Sequence, residues 1–310
     1  MRIIKGTETI PVEHPVFLVY GQPGIGKSTL GYSCKNPLTL DFDKGVHRAA
    51  NRRDTLLIDS WADVVALNRE VLAPYDSVIA DTVGRCLDLI VSDIAETDPK
   101  KAPGGNPTLQ GYGLLKTRFR NWMAQLRSWD KDVLLIAHDK EDKDGDTRIV
   151  RPDVIGGSYA EIMKVADFVA YLYMSGKDRL LDFNPTDRWV GKNPAQWKPV
   201  KLPAVAKAQH VMEGLFDDGR KALGGISEES AKVMLQVDDW RTALLDYTTA
   251  EECNGALADI QEIKSPIVKP QVETLFRERV KALGLAYSKR SQGFKSKAEV
   301  DAEKAEAVPA

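Results

Sequence analysis

Up to about residue 205 the chain alternates short, almost unbroken apolar runs with longer stretches of helical period. The run Val16–Tyr20 is apolar at every position, the pattern of a strand covered on both faces of a parallel sheet. Pro37–Asp41, 55–58, Ser77–Asp81 and Val133–Ala137 share that character, and 167–174, 178–183 and 187–191 are further candidate strands. Helical period marks 61–72 and 112–129. Strands alternating with helices predict an α/β domain with a mostly parallel central sheet flanked by helices. Beyond Pro203 the pattern is helical over 206–223, 227–247, 250–263 and 269–288. Gly224-Gly225 reads as a helix stop, Thr249-Ala-Glu-Glu252 as a capping box, and Pro266 and Pro270 as separators. The expected organisation is a domain over 1–205, a small C-terminal helical region over 206–288, and a flexible Lys/Ala/Glu-rich tail over 289–310.

Composition narrows the partners. Forty-three Lys and Arg oppose 45 Asp and Glu, a net charge of −2, so nucleic acid could be held only by a local basic patch. No apolar run approaches the roughly 18–20 residues of a membrane span, and the N-terminus has no signal-peptide pattern. Cys34, Cys86 and Cys253 are odd in number and far apart, which predicts reduced thiols in a cytoplasm. His14, His47, His138 and His210 are equally scattered, so no protein-only metal site is expected.

One motif is complete. Gly21-Gln22-Pro23-Gly24-Ile25-Gly26-Lys27-Ser28 matches G-x-x-x-x-G-K-[ST] between an apolar strand and a helix-capable segment, 28–34, that begins Ser28-Thr29. The backbone amides of such a loop turn toward phosphate oxygens, Lys27 neutralises the β- and γ-phosphates, and the Ser28 hydroxyl is directed at Mg²⁺. A chance glycine-rich turn is the plain alternative. A second carboxylate for Mg²⁺ is expected at the end of another buried strand, where Ser77-Val-Ile-Ala-Asp81 places Asp81, unless Asp81 only caps the next helix.

The ordered set GQPGIGKST (21–29), LTLDFDKG (38–45), SVIADT (77–82), QGYG (110–113), VLLIAHDKED (133–142) and KVADFVAYL (164–172) resembles the phage RecA-like AAA ATPases associated with single-strand annealing recombination. The resemblance spans about 15–205, and 238–288 more faintly resembles a small helical tail of phage DNA-metabolism proteins. It implies a RecA-like P-loop NTPase core. It further implies that Asp43 activates water, where the family usually has Glu, that His138 senses the γ-phosphate, and that a cation from a neighbouring subunit reaches the phosphate. Lys192 is the first choice for that cation and Arg188 the second. The plainer readings are a D-K-G turn for Asp43, a hydrogen-bonded surface residue for His138 and two surface cations beside a turn. A GTPase reading rests on Asp81-Thr-Val-Gly84 as DxxG and on Asp139-Lys140-Glu-Asp142, one residue from NKxD. A small-molecule kinase has no acceptor-site motif to support it.

DNA would need cations. From Pro99 to Trp129 there is no Asp or Glu, while Lys100, Lys101, Lys116, Arg118, Arg120 and Arg127 sum to +6. Lys116, Arg120 and Arg127 fall within about 40° on a helix. The adjoining Leu115, Phe119, Trp122, Met123, Leu126 and Trp129 form an apolar face, so the tryptophans are expected in the core. Solvation or a subunit contact is the other reading of the basic face. In the 139–159 loop only Arg148 and Arg151, followed by Gly156-Gly157-Ser158, suit phosphate.

The motifs together with the resemblance imply an Mg²⁺- and ATP-dependent RecA-like ATPase that binds single-stranded DNA, assembles as a ring or filament, and promotes annealing or recombination in a phage setting. A single-strand-binding protein or nuclease is a possible partner. The alternatives are an annealing module in which ATP controls binding and hydrolysis is marginal, and a GTP- or ATP-dependent switch acting on protein partners.

Overall fold

Side-chain alternation decides which face of the sheet each residue serves. In the computed structural model, which describes residues 3–48, 51–144, 147–155, 158–204 and 208–306, strand β1 (Val16–Gly21) is buried along its whole length. Val16, Leu18 and Tyr20 point into one apolar core, and Phe17 and Val19 into another. Two cores are needed because helices cover both faces, which is why the strand reads as a continuous apolar run. One face carries α4 (Val83–Thr97) and α5 (Leu109–Ser128). The other carries α1 (Lys27–Gly31) and the first turns of α7 (Val211–Asp246), with Phe17 stacked at 4.5 Å on Phe168 and 4.4 Å from Phe216.

The remaining strands are β2 (Pro37–Asp41), β3 (Thr55–Leu57), β4 (Ser77–Asp81), β5 (Asp132–Asp144), β6 (Thr147–Pro152), β7 (Phe168–Ser175), β8 (Asp178–Asp182) and β9 (Val200–Lys201). Their order is β3-β2-β4-β5-β1-β7-β8-β9, parallel through β7, with β8 and β9 antiparallel at one edge. This is the mixed α/β fold with a mostly parallel sheet that the hydrophobic pattern predicts. Parallel register sets Asp41 beside Asp81 at the C-terminal ends of β2 and β4, and Gly21, the last residue of β1, beside His138 partway along β5.

Several elements differ from expectation. The stretch 61–72 is two short helices, α2 (Trp61–Val65) and α3 (Arg69–Leu72), because the Asn68 side chain accepts the amides of Glu70 and Val71 and starts a new helix. No strand forms at 187–191. That segment folds back so closely that a Cβ on Gly191 would stand 2.4 Å from the Phe183 carbonyl oxygen. The stretch after His138 is not a loop, since β5 runs on to Asp144 and pairs antiparallel with β6.

The chain forms two compact units, Val12–Leu223 and a second made of Met1–Pro11 with Gly224–Ala310. Residues 211–223 belong with the first because Met212, Leu215 and Phe216 fill its core. Gly224-Gly225 does not stop the helix, for neither glycine has positive φ and α7 continues to Asp246. Each costs only about 1 kcal/mol relative to Ala in a helix. In the second unit α8 (Ala250–Glu262) begins with the Thr249–Glu252 capping box. Pro270 sits inside the first turn of α9 (Val268–Ala282), where a missing N–H costs nothing. Gly284, at φ 67°, ends α9 and opens the hairpin β10 (Leu285–Ser288)–β11 (Gly293–Ser296), which α10 (Lys297–Glu306) follows. The described part of the expected tail is therefore folded, with Val300 buried and Glu303 paired with Lys295. Among the described residues no helix is long and apolar enough to cross a membrane.

Candidate functional site

The glycine-rich loop leaves β1 at Gly21, which packs so tightly that a Cβ would meet the Leu172 carbonyl oxygen at 2.4 Å. Gly24 and Gly26 have φ of 77° and 98°, which L-side chains rarely adopt, so the loop curls back over the strand end. Lys27 is buried beneath this curl, its ammonium donating to the carbonyls of Gly21 (2.7 Å) and Gln22 (2.9 Å). Burial pulls the Lys27 pKa below its ordinary value, while Asp81, Asp139 and Asp43 draw it back up. Helix α1 is only five residues long, so the cradle depends on loop amides and Lys27 more than on a helix dipole.

Lys27, Ser28, Thr29, Asp43, Asp81 and His138 line one cleft. Burial raises the Asp81 carboxyl above the ordinary range, partly offset by a hydrogen bond with Ser28. Asp41 and Asp43 push it the same way as burial, and Lys27 opposes them. Buried Asp41 and half-buried Asp43 and Asp81 converge beside a hydroxyl and give the cleft a negative floor. Among the described residues no cluster of three or more His, Cys, Asp or Glu could hold a metal by itself. Ser28 and Asp81 instead offer the one or two oxygen ligands that Mg²⁺ takes from protein when nucleotide phosphates supply others.

Asp43 reaches the cleft because Asp41 builds the loop beneath it. Asp41 is buried and accepts the amides of Gly45 (3.1 Å) and Val46 (2.8 Å), while the Phe42 amide donates to the Asp81 carbonyl (2.8 Å). The Asp43 carboxylate then faces three partners: His138 Nε2 at 3.4 Å, the Thr82 hydroxyl at 3.3 Å and Arg85 Nε at 3.6 Å. His138 holds the Asp43 pKa below the usual carboxylate value against the opposing effect of burial. His138 Nδ1 is buried and has no hydrogen-bond partner.

Sequence reasoning missed Asp41, whose role is to shape the loop, and it missed Arg179. The Arg179 guanidinium donates to the carbonyls of Pro203 (2.9 Å) and Ile25 (3.5 Å), pinning the phosphate loop to β8. It also missed Arg52 and Arg53, which with Tyr32 line a pocket adjoining the cleft at Thr29. Burial lifts the Tyr32 hydroxyl to about 12, with Asp81 and Asp41 adding to the shift and Arg52 opposing it.

Other expected residues lie elsewhere. Lys192 does not project a free cation, for its ammonium donates to the Ala166 carbonyl of its own chain at 2.6 Å. Arg188 is exposed and has no ion pair among the described residues. The stretch 99–129 is not an unopposed positive face. Arg120 forms a two-pronged pair with Glu161 (2.7 and 3.1 Å), Arg127 pairs with Asp167, Arg118 with Asp93 and Lys101 with Asp98. Lys100 is exposed and Lys116 half-buried. Trp122 is in the core, edge-on to Phe42, Trp61 and Phe119. Arg148 and Arg151 pair across the hairpin with Glu141 and Asp142. Gly156 and Gly157 lie outside the described residues. With Asp142 on Arg151 and Asp139 accepting from Tyr171 (3.2 Å), the guanine-reading pattern gains no geometric support.

The model of a family described as AAA domain matches residues 13–195, more than half of the chain and wholly inside the first unit. The chain belongs to this AAA domain family. It is 26% identical over 198 residues to the SPbeta prophage-derived uncharacterized protein YorG of Bacillus subtilis (strain 168), a match spanning 58% of this chain and 57% of that protein. The chain thus aligns with little more than half the length of that relative. A solved structure, the flagellar accessory protein FlaH from Methanocaldococcus jannaschii, aligns at TM-score 0.33 and 12% identity over 62% of this chain and 86% of that one. Within this AAA domain the phosphate-loop signature lies at Gly21–Ser28, and the polar side chains of the cleft come from α1 (Lys27, Ser28, Thr29), the loop after β2 (Asp43), the end of β4 (Asp81) and the middle of β5 (His138).

Proposed function

We propose that the AAA domain binds ATP with Mg²⁺ and hydrolyses it, and that the nucleotide state controls an interaction with single-stranded DNA in annealing or recombination of phage DNA. The convergence of Lys27, Ser28, Asp81 and Asp43 on one cleft carries the reading. Lys27 and the loop amides would hold the phosphates, Ser28 and Asp81 would hold Mg²⁺, and Asp43 would orient the attacking water. When bound, Mg²⁺ would supply neutralisation of phosphate charge. His138 acts through Asp43 as a positioning residue. Likeness to a prophage-derived protein supports the phage setting.

One observation favours a second reading, in which ATP sets the binding state and turnover is slow. Asp43 is a short carboxylate already engaged by His138, Thr82 and Arg85, and its lowered pKa makes it a weak base. Hydrolysis of ATP and of GTP, measured with and without single-stranded DNA, separates the readings. DNA-stimulated ATP turnover supports the first, and ATP-dependent DNA binding without turnover supports the second. Preference for GTP overturns both.

A further inference from the structure

Charge in the second unit is segregated along the chain. From Gly224 to Ile263 there are nine Asp or Glu and two Lys or Arg, a net of −7. From Lys264 to Lys297 there are nine Lys or Arg and two carboxylates, Glu273 and Glu278, a net of +7. This basic stretch is α9 and the β10–β11 hairpin.

The fold keeps most of that charge outward. Helices α8 and α9 are joined by the five residues 263–267, and the hairpin follows α9 directly. Helix α9 buries Val268, Val272, Phe276 and Val280, which leaves Thr274, Arg277, Glu278 and Lys281 on its outer side. Between its last turns and the hairpin is a groove lined by Arg277, Lys281 and Lys297 over an apolar floor of Val280, Leu285 and Phe294. Among the described residues, Lys281 and Lys297 make no ion pair, and the exposed Arg277 meets only Glu273 at 3.3 Å, a weak surface contact. Arg279 donates to the carbonyls of Leu245 and Tyr247, so it adds charge that no carboxylate cancels. The contrast with Arg120 and Arg127, neutralised by Glu161 and Asp167, is direct.

We propose that α9 and the β10–β11 hairpin form a binding surface for double-stranded DNA. A helix about 10–12 Å across fits a major groove about 12 Å wide. Arg277, Lys281 and Lys297 then meet backbone phosphates, which position the duplex without reading sequence. Thr274 and Glu278 face the base edges. The assignment extends the nucleic-acid half of the proposed function and is independent of its ATPase half.

The test is binding of a fluorescent DNA duplex to the full chain across a salt series. Replacing Arg277, Lys281 and Lys297 by Ala is expected to weaken binding at least tenfold at low salt. It should also flatten the salt slope by about 2.7, three contacts at about 0.9 each. ATP turnover should be unchanged, and an unchanged circular-dichroism spectrum and thermal transition show that the substituted unit is folded. The charge-retaining variant Arg277→Lys, Lys281→Arg, Lys297→Arg should keep the wild-type slope. Duplex binding unaltered in the Ala variant overturns the proposal, as does a wild-type chain that binds no duplex. In the latter case persisting single-strand-stimulated ATP turnover would leave the proposed function standing. Tighter binding of a single strand than of duplex through the same three residues also overturns it.

Discussion

Nε2 of His138 lies 3.4 Å from Oδ2 of Asp43, joining the middle of β5 to the loop after β2 across the cleft floor. The pair decides how Asp43 titrates. His138 depresses the carboxyl pKa, so Asp43 stays ionised throughout the neutral range. Its contribution to stability is present above its unfolded value and is lost only as pH falls through the lower folded value.

His138→Ala removes the largest influence holding that pKa down. The acid limb of the ATPase pH profile is therefore expected to move to higher pH, with ATP affinity at neutral pH little changed. An acid limb at the same pH in wild type and variant rules out the coupling.

Asp43→Asn keeps the shape of the side chain and removes its charge. Turnover should fall by about 10²–10⁴, the usual contribution of a positioned acid–base group, while ATP still binds. Single-turnover kinetics beside equilibrium nucleotide binding make the distinction. Wild-type hydrolysis would place water activation elsewhere.

Asp81→Asn should separate stability from function. Burial raises the Asp81 pKa, so the ionised form at neutral pH opposes folding, and its stability cost appears as pH rises through the ordinary carboxylate value. The amide is expected to raise the melting temperature of the nucleotide-free chain and to lose Mg²⁺-dependent ATP binding. A lower melting temperature together with intact Mg²⁺ dependence contradicts both halves.

Gly225→Ala tests the uninterrupted α7. No heavy atom lies within 4 Å of an added Cβ, and the backbone is not in the left-handed region. Stability should rise by about 0.4–1 kcal/mol, read from the denaturation midpoint. Destabilisation would mean that the glycine pair breaks the helix after all.

Arg120 and Glu161 should behave as a unit. Each single Ala substitution is expected to lower the melting temperature, and the second should cost less in the background of the first. Removing Lys116, Arg120 and Arg127 together should leave the salt slope for single-stranded DNA unchanged, because Arg120 and Arg127 already face carboxylates. A slope flattened by about 2, three contacts at about 0.7 each, would return DNA to that face.

The phosphate loop was legible because everything that defines it lies within eight consecutive residues between two recognisable elements. The end of the strand carrying Asp81 and the apolar run leading into His138 were legible for the same local reason. The basic stretch was misread because its counter-charges come from far along the chain: Asp93 on α4, Glu161 on α6 (Tyr159–Val165) and Asp167. A tally of charge along the sequence cannot see partners that only folding supplies. Arg179 was invisible likewise, since its two acceptors are carbonyls, which every residue has. Gly224-Gly225 misled because a propensity of about 1 kcal/mol per residue is a weak prior against tertiary packing.

Strand β5 does not end at the cleft. It passes His138 and continues unbroken to Asp144, paired residue by residue with β6. Six residues of strand span about 20 Å. A paired arm yields less to bending than a slack loop, so a rotation at His138 would be carried along it toward Lys143. Spectroscopic labels placed near His138 and at Lys143 would then move in step when nucleotide binds, and the arm rather than any single contact would carry the signal outward.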